Sequence, residues 1–291
     1  SLAYRHGMST DPLKILDDLD GTASHLHTPC GDGHMVWRSW GKGDPLVLMH
    51  GGYGSWIHWV RCIEPLSKRY RLLVPDLPGM GDSEVPPEPH TAEGLAQVCV
   101  TGLNQILEPG ERPHIAGFSF GSILSGYSAA FLGERARSYT MIGAGGLGLP
   151  RVAGIDLRPR RRHMTEQQKL DVHRHNLAEL MLADPDAIDE LAMHMQVTNT
   201  GRARTKSRPI SGTDTLARKL PDIVAPIAGI WGALDATAIP RIDMRRDMLR
   251  RVQPDAEFHV IPKAGHWVMY EATDAFVETL TGILSRVEER G

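Results

Sequence analysis

The apolar positions along this chain follow two alternating rhythms. Residues Ser24 to Trp40 alternate apolar and polar around Gly31-Asp32-Gly33, the pattern of a strand, a tight turn and a second strand. Leu46 to His50 is a continuous apolar run, as expected of a strand buried on both faces of a parallel sheet. His114 to Gly117 is a short apolar strand, and Tyr70 to Pro75, Ser138 to Ile142, Pro226 to Gly232 and Glu257 to Ile261 read as further strands. Between them, Trp56 to Lys68, Thr91 to Leu107, Phe120 to Gly133, Pro240 to Val252 and Ala272 to Glu289 carry helical spacing. Thr91 and Glu93 suit the start of the second of these helices. Strands alternating with helices predict an α/β fold with a mainly parallel, doubly wound sheet of about eight strands.

The rhythm breaks once. Gly143 to Pro150, rich in glycine, leaves the sheet, and Arg151 to Leu220 holds helical patterns without a convincing strand. The expected organisation is a core domain over 1–149 and 221–291, with 150–220 inserted as a helical lid over the C-terminal ends of the strands.

Candidate chemistry gathers at those strand ends. Gly117 and Gly121 bracket Ser119 two residues away on each side, between a predicted strand and a predicted helix. A strand that turns directly into a helix brings its own backbone too close for side chains at the two glycines, and it exposes the serine hydroxyl at a helix N-terminus. A serine hydroxyl becomes a nucleophile only when a base takes its proton and a third group orients that base. Asp235 follows the strand ending at Gly232, and His266 follows the last strand, so the order serine, acid, histidine is met with each residue after its own strand. Ser119, Asp235 and His266 are the expected nucleophile, orienting acid and base. The developing oxyanion needs donors, expected from the backbone N–H of Phe120 and of Gly52, with Tyr53 the neighbouring candidate, in the loop His50-Gly51-Gly52-Tyr53-Gly54.

The other histidines read differently. His50 and His114 flank strands and are expected to pack or hydrogen-bond, and His173, His175 and His194 are expected on solvated faces of the lid helices.

Charge changes the picture in one place. The chain carries a formal −3, which gives no reason to expect nucleic acid or a membrane surface as partner. Residues 151–220 hold thirteen Lys or Arg against nine Asp or Glu, a net of +4, leaving −7 for the remainder. Two basic runs account for most of this, Arg158 to Arg162 and Arg202 to Arg208. Charge runs are usually solvated surface. The sharper expectation is that an arginine of the second run, Arg202 or Arg204 foremost and Arg208 besides, enters the cleft and pairs with a substrate carboxylate. Tyr53, Phe118 and Trp267 are expected substrate-binding residues. Trp56, Trp59, Phe118, Phe120 and Trp267 flank the catalytic loops, which fits an apolar or aromatic-lined pocket and ordinary core packing equally.

No apolar run approaches the roughly 18 residues of a spanning helix, and the first residues lack the layout of a signal peptide. Cys30, Cys62 and Cys99 are odd in number and without metal-ligand spacing, which predicts reduced thiols in a cytoplasmic setting. No metal or organic cofactor is called for. The expected partner is a small-molecule substrate, with self-association as a homo-oligomer left open.

His50-Gly51-Gly52, Asp76 to Ser83, Gly117-Phe118-Ser119-Phe120-Gly121, Gly232 to Asp235 and Gly265-His266-Trp267 together resemble the α/β-hydrolase superfamily, from about residue 24 to the C-terminus apart from the lid. The His-Gly-Gly loop and the Gly-His-Trp ending look most like the meta-cleavage product hydrolases and related serine carboxylesterases. That resemblance implies either hydrolysis of a carboxylic ester through an acyl-enzyme, the first expectation, or C–C cleavage of a carboxylated ring-fission product with a lid arginine. Two departures weigh against the C–C reaction. Phe118 stands where those relatives usually carry asparagine, and the loop from His50 to Gly54 lacks their usual proline. Serine at 119 also argues against dehalogenase and epoxide hydrolase chemistry. A ligand receptor, or a cofactor-free lyase or oxygenase on the same scaffold, remains as a further alternative, since fold does not fix reaction.

Overall fold

The computed structural model describes residues 11–150 and 154–291. Helix α1 (Pro12–Asp20) precedes a hairpin of β1 (Ser24–Cys30) and β2 (Gly33–Trp40). The chain continues through β3 (Pro45–Met49), α2 (Val60–Ser67, entered by a 3-10 turn over Trp56–Trp59), β4 (Arg71–Pro75), α3 (Ala92–Ile106), β5 (His114–Phe118), α4 (Phe120–Leu132) and β6 (Ser138–Ile142). Beyond 154 come α5 (Glu166–Asn176), α6 (Glu190–Arg202), α7 (Arg208–Ser211) and α8 (Thr215–Lys219). Then follow β7 (Ile227–Gly232), α9 (Ile242–Val252), β8 (Glu257–Ile261), α10 (Val268–Glu271) and α11 (Thr273–Glu289).

The eight strands form one sheet in the order β1-β2-β4-β3-β5-β6-β7-β8. The hairpin pairs antiparallel at one edge, and β4, β3, β5, β6, β7 and β8 run parallel. Every residue of β3, β5, β6 and β7 is buried, which is why none of these strands carries an Asp, Glu, Lys or Arg. The two-residue period of a strand divides them between two cores. Leu46, Leu48, Leu72, Val74 and Ile230 pack with α2 and α11 on one face. Val47, Met49, Leu73, Ile115 and Met141 pack with α3 and α4 on the other.

Helix α1 has no counterpart in the sequence reading. Asp11 caps it by accepting the Leu13 N–H at 3.0 Å, proline follows at the first helical position, and Leu16 is its one buried residue. The expectation for 150–220 meets a segment from 154 to 220 that is helical from 166 onward with breaks, irregular over 154–165 and 203–207, and without a strand among the described residues, while 151–153 lie outside them. Leu177, Leu182, Ile188, Leu191 and Met195 of this segment join the core that contains α2 and α11.

His50 and His114 hydrogen-bond, as expected of them. His50 Nε2 accepts the Leu77 N–H at 2.9 Å, and His114 Nδ1 lies 2.7 Å from Ser138 Oγ. His173 corrects its expectation: only 3% of it is exposed. Helical spacing alone does not show what covers a helix face. The three cysteines are unpaired and buried. Burial pushes the Cys30 thiol up to about 11 and those of Cys62 and Cys99 higher. Among the described residues no helix is long and apolar enough to cross a membrane.

Candidate active site

Strand β5 ends at Phe118 and α4 begins at Phe120, so Ser119 alone makes the corner, at φ 54° and ψ −112°. A side chain at Gly121 would run into the carbonyls of Met49 and His50, and one at Gly117 into the Gly121 backbone. The corner is held by the Ser119 N–H donating to Ile142 O at 2.8 Å and the Gly145 N–H donating to Ser119 O at 3.2 Å. Strain at the serine is thus fixed by bonds to the neighbouring strand and its exit loop.

The loops after β7 and β8 bring the two partners to this corner. Ser119 Oγ lies 3.0 Å from His266 Nε2, and His266 Nδ1 lies 2.9 Å from Asp235 Oδ2. Asp235 is wholly buried and its other oxygen accepts from Thr237 N and Thr237 Oγ1, at 2.8 and 2.7 Å. Burial alone would raise the Asp235 carboxyl, but the imidazole of His266 and the two Thr237 donors outweigh it and hold the pKa below the usual range. An ionised Asp235 requires the proton on Nδ1 of His266, which leaves Nε2 as acceptor for the Ser119 hydroxyl.

The loop after β3 is braced by two neutral imidazoles. His50 Nδ1 donates to Gly51 O at 2.7 Å, and the Gly51 N–H donates to His58 Nδ1 at 3.2 Å. Burial holds His50 near 4 and His58 well below its ordinary value, so neither competes as a cation with the site. Among the described residues no protein acceptor takes the Gly52 N–H. The Phe120 N–H, first in its helix, has no intrahelical partner. Both residues face the cleft that contains Ser119 and His266.

That cleft has a volume of about 830 Å³ and is closed on one side by the helical segment, through Leu157, Leu180, Met181, Ser207 and Arg208. A smaller chamber of about 300 Å³ shares Gly52, Tyr53, His58, Met181 and Arg208 with it. Neither is lined by an Asp or Glu. Among the described residues no three His, Cys, Asp or Glu side chains cluster as metal ligands.

A model of the Alpha/beta hydrolase family matches residues 46–279. The chain belongs to that family. A 2-hydroxy-6-oxo-6-phenylhexa-2,4-dienoate hydrolase of Burkholderia cepacia is 27% identical over 255 residues, covering 81% of this chain and 86% of the relative. Among solved structures, an esterase from a Rhodococcus species superposes with a TM-score of 0.76 at 18% identity, covering 91% of this chain and 99% of the other. A meta-cleavage product hydrolase from Pseudomonas fluorescens does so with a TM-score of 0.69 at 21% identity, covering 89% and 95%. At those identities the two structures speak for the fold alone.

In this α/β hydrolase the expected site residues divide. Ser119, His266, Gly52, Phe120, Tyr53 and Phe118 line one cleft, with Asp235 directly behind His266. Phe118 lies against His266 with ring centroids 4.9 Å apart. Three expectations for substrate contact need correction. Trp267 lies in the core, stacked on Tyr270 at 4.3 Å with its Nε1 donating to His58 O, and does not line the cleft. Arg202 pairs with Asp82, and Arg204 donates to Ser83 O and lies 3.5 Å from Glu84. Both arginines are drawn onto the acidic loop after β4, which offers carboxylates the cleft lacks. Trp56 and Trp59 also belong to the core. Arg208 is the member of that run that reaches the cleft, 5.8 Å from the Tyr53 ring. His58, Ser207 and Arg245 also face it. No sequence motif marks these three, because each is delivered by tertiary packing.

Proposed function

We propose that this α/β hydrolase cleaves a carboxylic ester or related acyl bond of a small molecule through an acyl-enzyme at Ser119. The observation that carries this reading is the unbroken relay from Ser119 Oγ through His266 to Asp235 at 3.0 and 2.9 Å. His266 Nε2 takes the hydroxyl proton as Oγ attacks the carbonyl carbon, and the oxyanion is received by the N–H groups of Gly52 and Phe120. His266 then gives the proton to the leaving alcohol. Water, activated by the same imidazole, releases the acid and restores Ser119. The segment from 154 to 220 acts as the lid of this cleft, bringing Ser207 beside Gly52 and Arg208 beside Tyr53.

A second reading is hydrolytic C–C cleavage, favoured by the dienoate hydrolases among the relatives and by Arg208 at the cleft wall. There Oγ would attack a ketone carbon, the C–C bond would break towards a conjugated enolate, and carbon rather than oxygen would receive the proton. Arg208 would pair with the substrate carboxylate.

The test is a panel of p-nitrophenyl esters of graded acyl length, two lactones and one carboxylated dienoate keto acid, run on wild type and Ser119→Ala. Ester turnover abolished in the variant supports the first reading, and selective turnover of the keto acid supports the second. Silence across the panel favours a receptor role.

A further inference from the structure

Next to the catalytic cleft, the smaller chamber has a lining that the hydrolytic step does not use. Its floor comes from α5 and α6 through His173, Asn176, Gln196 and Thr200, and its wall from Arg158, Arg160 and Arg208. This wall is built rather than draped. The Asn176 carboxamide accepts the Arg158 N–H at 2.8 Å and donates to Arg158 O at 2.9 Å, and His175 Nε2 lies 2.7 Å from Asp156 O. The stretch bearing the arginines is therefore strapped to α5.

Charge in the chamber is one-sided. Among the described residues, Arg158, Arg160 and Arg208 face it and no carboxylate does. Arg158 has Asp156 at 3.2 Å, outside the lining, whereas Arg160 and Arg208 have no carboxylate partner among the described residues. The His173 imidazole is 3% exposed and turned to the chamber, and among the described residues no protein group bonds it. Its ring nitrogens keep access to the chamber and can hydrogen-bond whatever enters it. Burial, with Arg160 beside it, holds the ring near 4, so it stays a neutral hydrogen-bonding group and adds no charge of its own.

We propose that this chamber is a second-anion subsite, in which Arg160, Arg158 and the His173 ring hold a carboxylate at the far end of the substrate, remote from the scissile carbonyl. Arg160 supplies the charge-assisted bonds, Arg158 the surrounding field, and His173 a hydrogen bond that discriminates an oxyacid from an apolar tail. The substrate class follows: acyl compounds with an anionic terminus, long enough to reach from Ser119 past Tyr53 into the chamber. This rests on the serine hydrolase reading for the position of the scissile bond, but the binding of the tail stands apart from turnover.

The test has two arms. Calorimetry on Ser119→Ala compares suberate with octanoate, which match in length and differ in the second carboxylate. Suberate is expected to bind about tenfold tighter, the value of one charge-assisted hydrogen bond, and to lose that margin in the additional variant Arg160→Gln. Arg162→Gln, in the same basic run but outside the lining, is expected to keep it. Equal binding of suberate and octanoate, or a margin untouched by Arg160→Gln, overturns the subsite. In the second arm, wild type is assayed on neutral esters and on esters with a terminal carboxylate on the acyl or on the alcohol side. No turnover in any series alongside the suberate margin would retain the subsite and reject the hydrolase reading. Turnover without preference for either anionic series would retain the hydrolase reading and reject the subsite.

Discussion

Arg38 Nη1 and Asp76 Oδ2 meet at 3.1 Å, with 5% and 1% of their side chains exposed. Arg38 also reaches Asp20 and Asp82, at 2.5 and 2.6 Å, while Asp76 accepts the Trp56 and Asp82 N–H groups at 2.8 and 2.9 Å. One buried pair thus ties the hairpin, the loop after β4 and the entry to α2. Removing one member leaves the other buried and unpaired. Arg38→Met is expected to destabilise the fold by about 3–5 kcal/mol, read from the shift in urea midpoint. A loss under about 1 kcal/mol, typical of exposed pairs, would show that solvent reaches Asp76.

Glycines in the two catalytic loops should fail in different ways. Gly121→Ala drives a methyl into the carbonyls of Met49 and His50, so soluble folded protein is not expected. Gly52→Ala meets Ser207 instead, whose Oγ can rotate away but whose Cβ, 2.8 Å from the new methyl, moves only if the loop or the inserted segment shifts. That variant keeps the backbone N–H but displaces it, and is expected to fold with a lowered melting temperature and to lose up to roughly 100-fold in kcat. Normal kcat in a folded Gly52→Ala would show that the placement of this loop against Ser119 does not limit the reaction.

Asp235→Asn keeps the shape of the relay but lets the amide donate to Nδ1, so that Nε2 carries the proton and cannot accept from Ser119. On the proposed mechanism kcat falls by roughly 10⁴-fold while the far-UV spectrum is unchanged. A fall of less than about tenfold would leave Asp235 a structural partner of Thr237 and not an orienting one.

Arg202→Ala and Arg204→Ala are expected to leave KM unchanged for every substrate, and at half-exposed positions to cost at most about 1 kcal/mol of stability. Arg208→Ala is expected to raise KM for acidic substrates over neutral ones by about tenfold. If Arg204→Ala raised KM and Arg208→Ala did not, the inserted segment would have to move between free and liganded forms.

These three arginines mark where the sequence stops being readable. The elbow at Ser119 is local: two glycines, a strand and a helix determine it within seven residues. The loop carrying Asp235 follows a fully buried apolar strand, and the loop carrying His266 follows β8, a half-exposed edge strand that mixes Glu257 and His259 with apolar residues. Arg202, Arg204 and Arg208, by contrast, share one composition and differ only in which neighbour faces them. Asp82 and Glu84, more than a hundred residues earlier, decide that two of them leave the cleft. His173 was unreadable for the same reason, since spacing on α5 does not show what packs over it. Trp267 shows the converse: adjacency to His266 in sequence does not place its ring beside the substrate.

Acid should unfold this protein in a particular window. Burial lowers the pKa of His50 to about 4, and that of His114 moves the same way. The unfolded chain, with imidazoles near 6.5, takes up protons first, so stability is full above that value and declines as pH falls towards 4. The slope is up to about 1.4 kcal/mol per pH unit for each fully buried ring. Asp82, Asp235 and Glu257, whose pKa values are depressed, add losses only below the ordinary carboxylate range. Urea midpoints at pH 7.5, 5.5 and 4.5 check this. A flat profile to pH 4.5 would mean that the rings accept protons in the native state.

The three unpaired thiols give the fold a chemical clock. A thiolate is the reactive species, and Cys30, Cys62 and Cys99 sit in apolar surroundings that suppress it, one on the edge hairpin, one in α2 and one in α3. An alkylating reagent at neutral pH therefore labels each cysteine only as fast as its surroundings open. Labelling of Cys30 reports fraying of the hairpin edge, and labelling of Cys62 and Cys99 reports breaching of the two opposite cores, without any engineered probe.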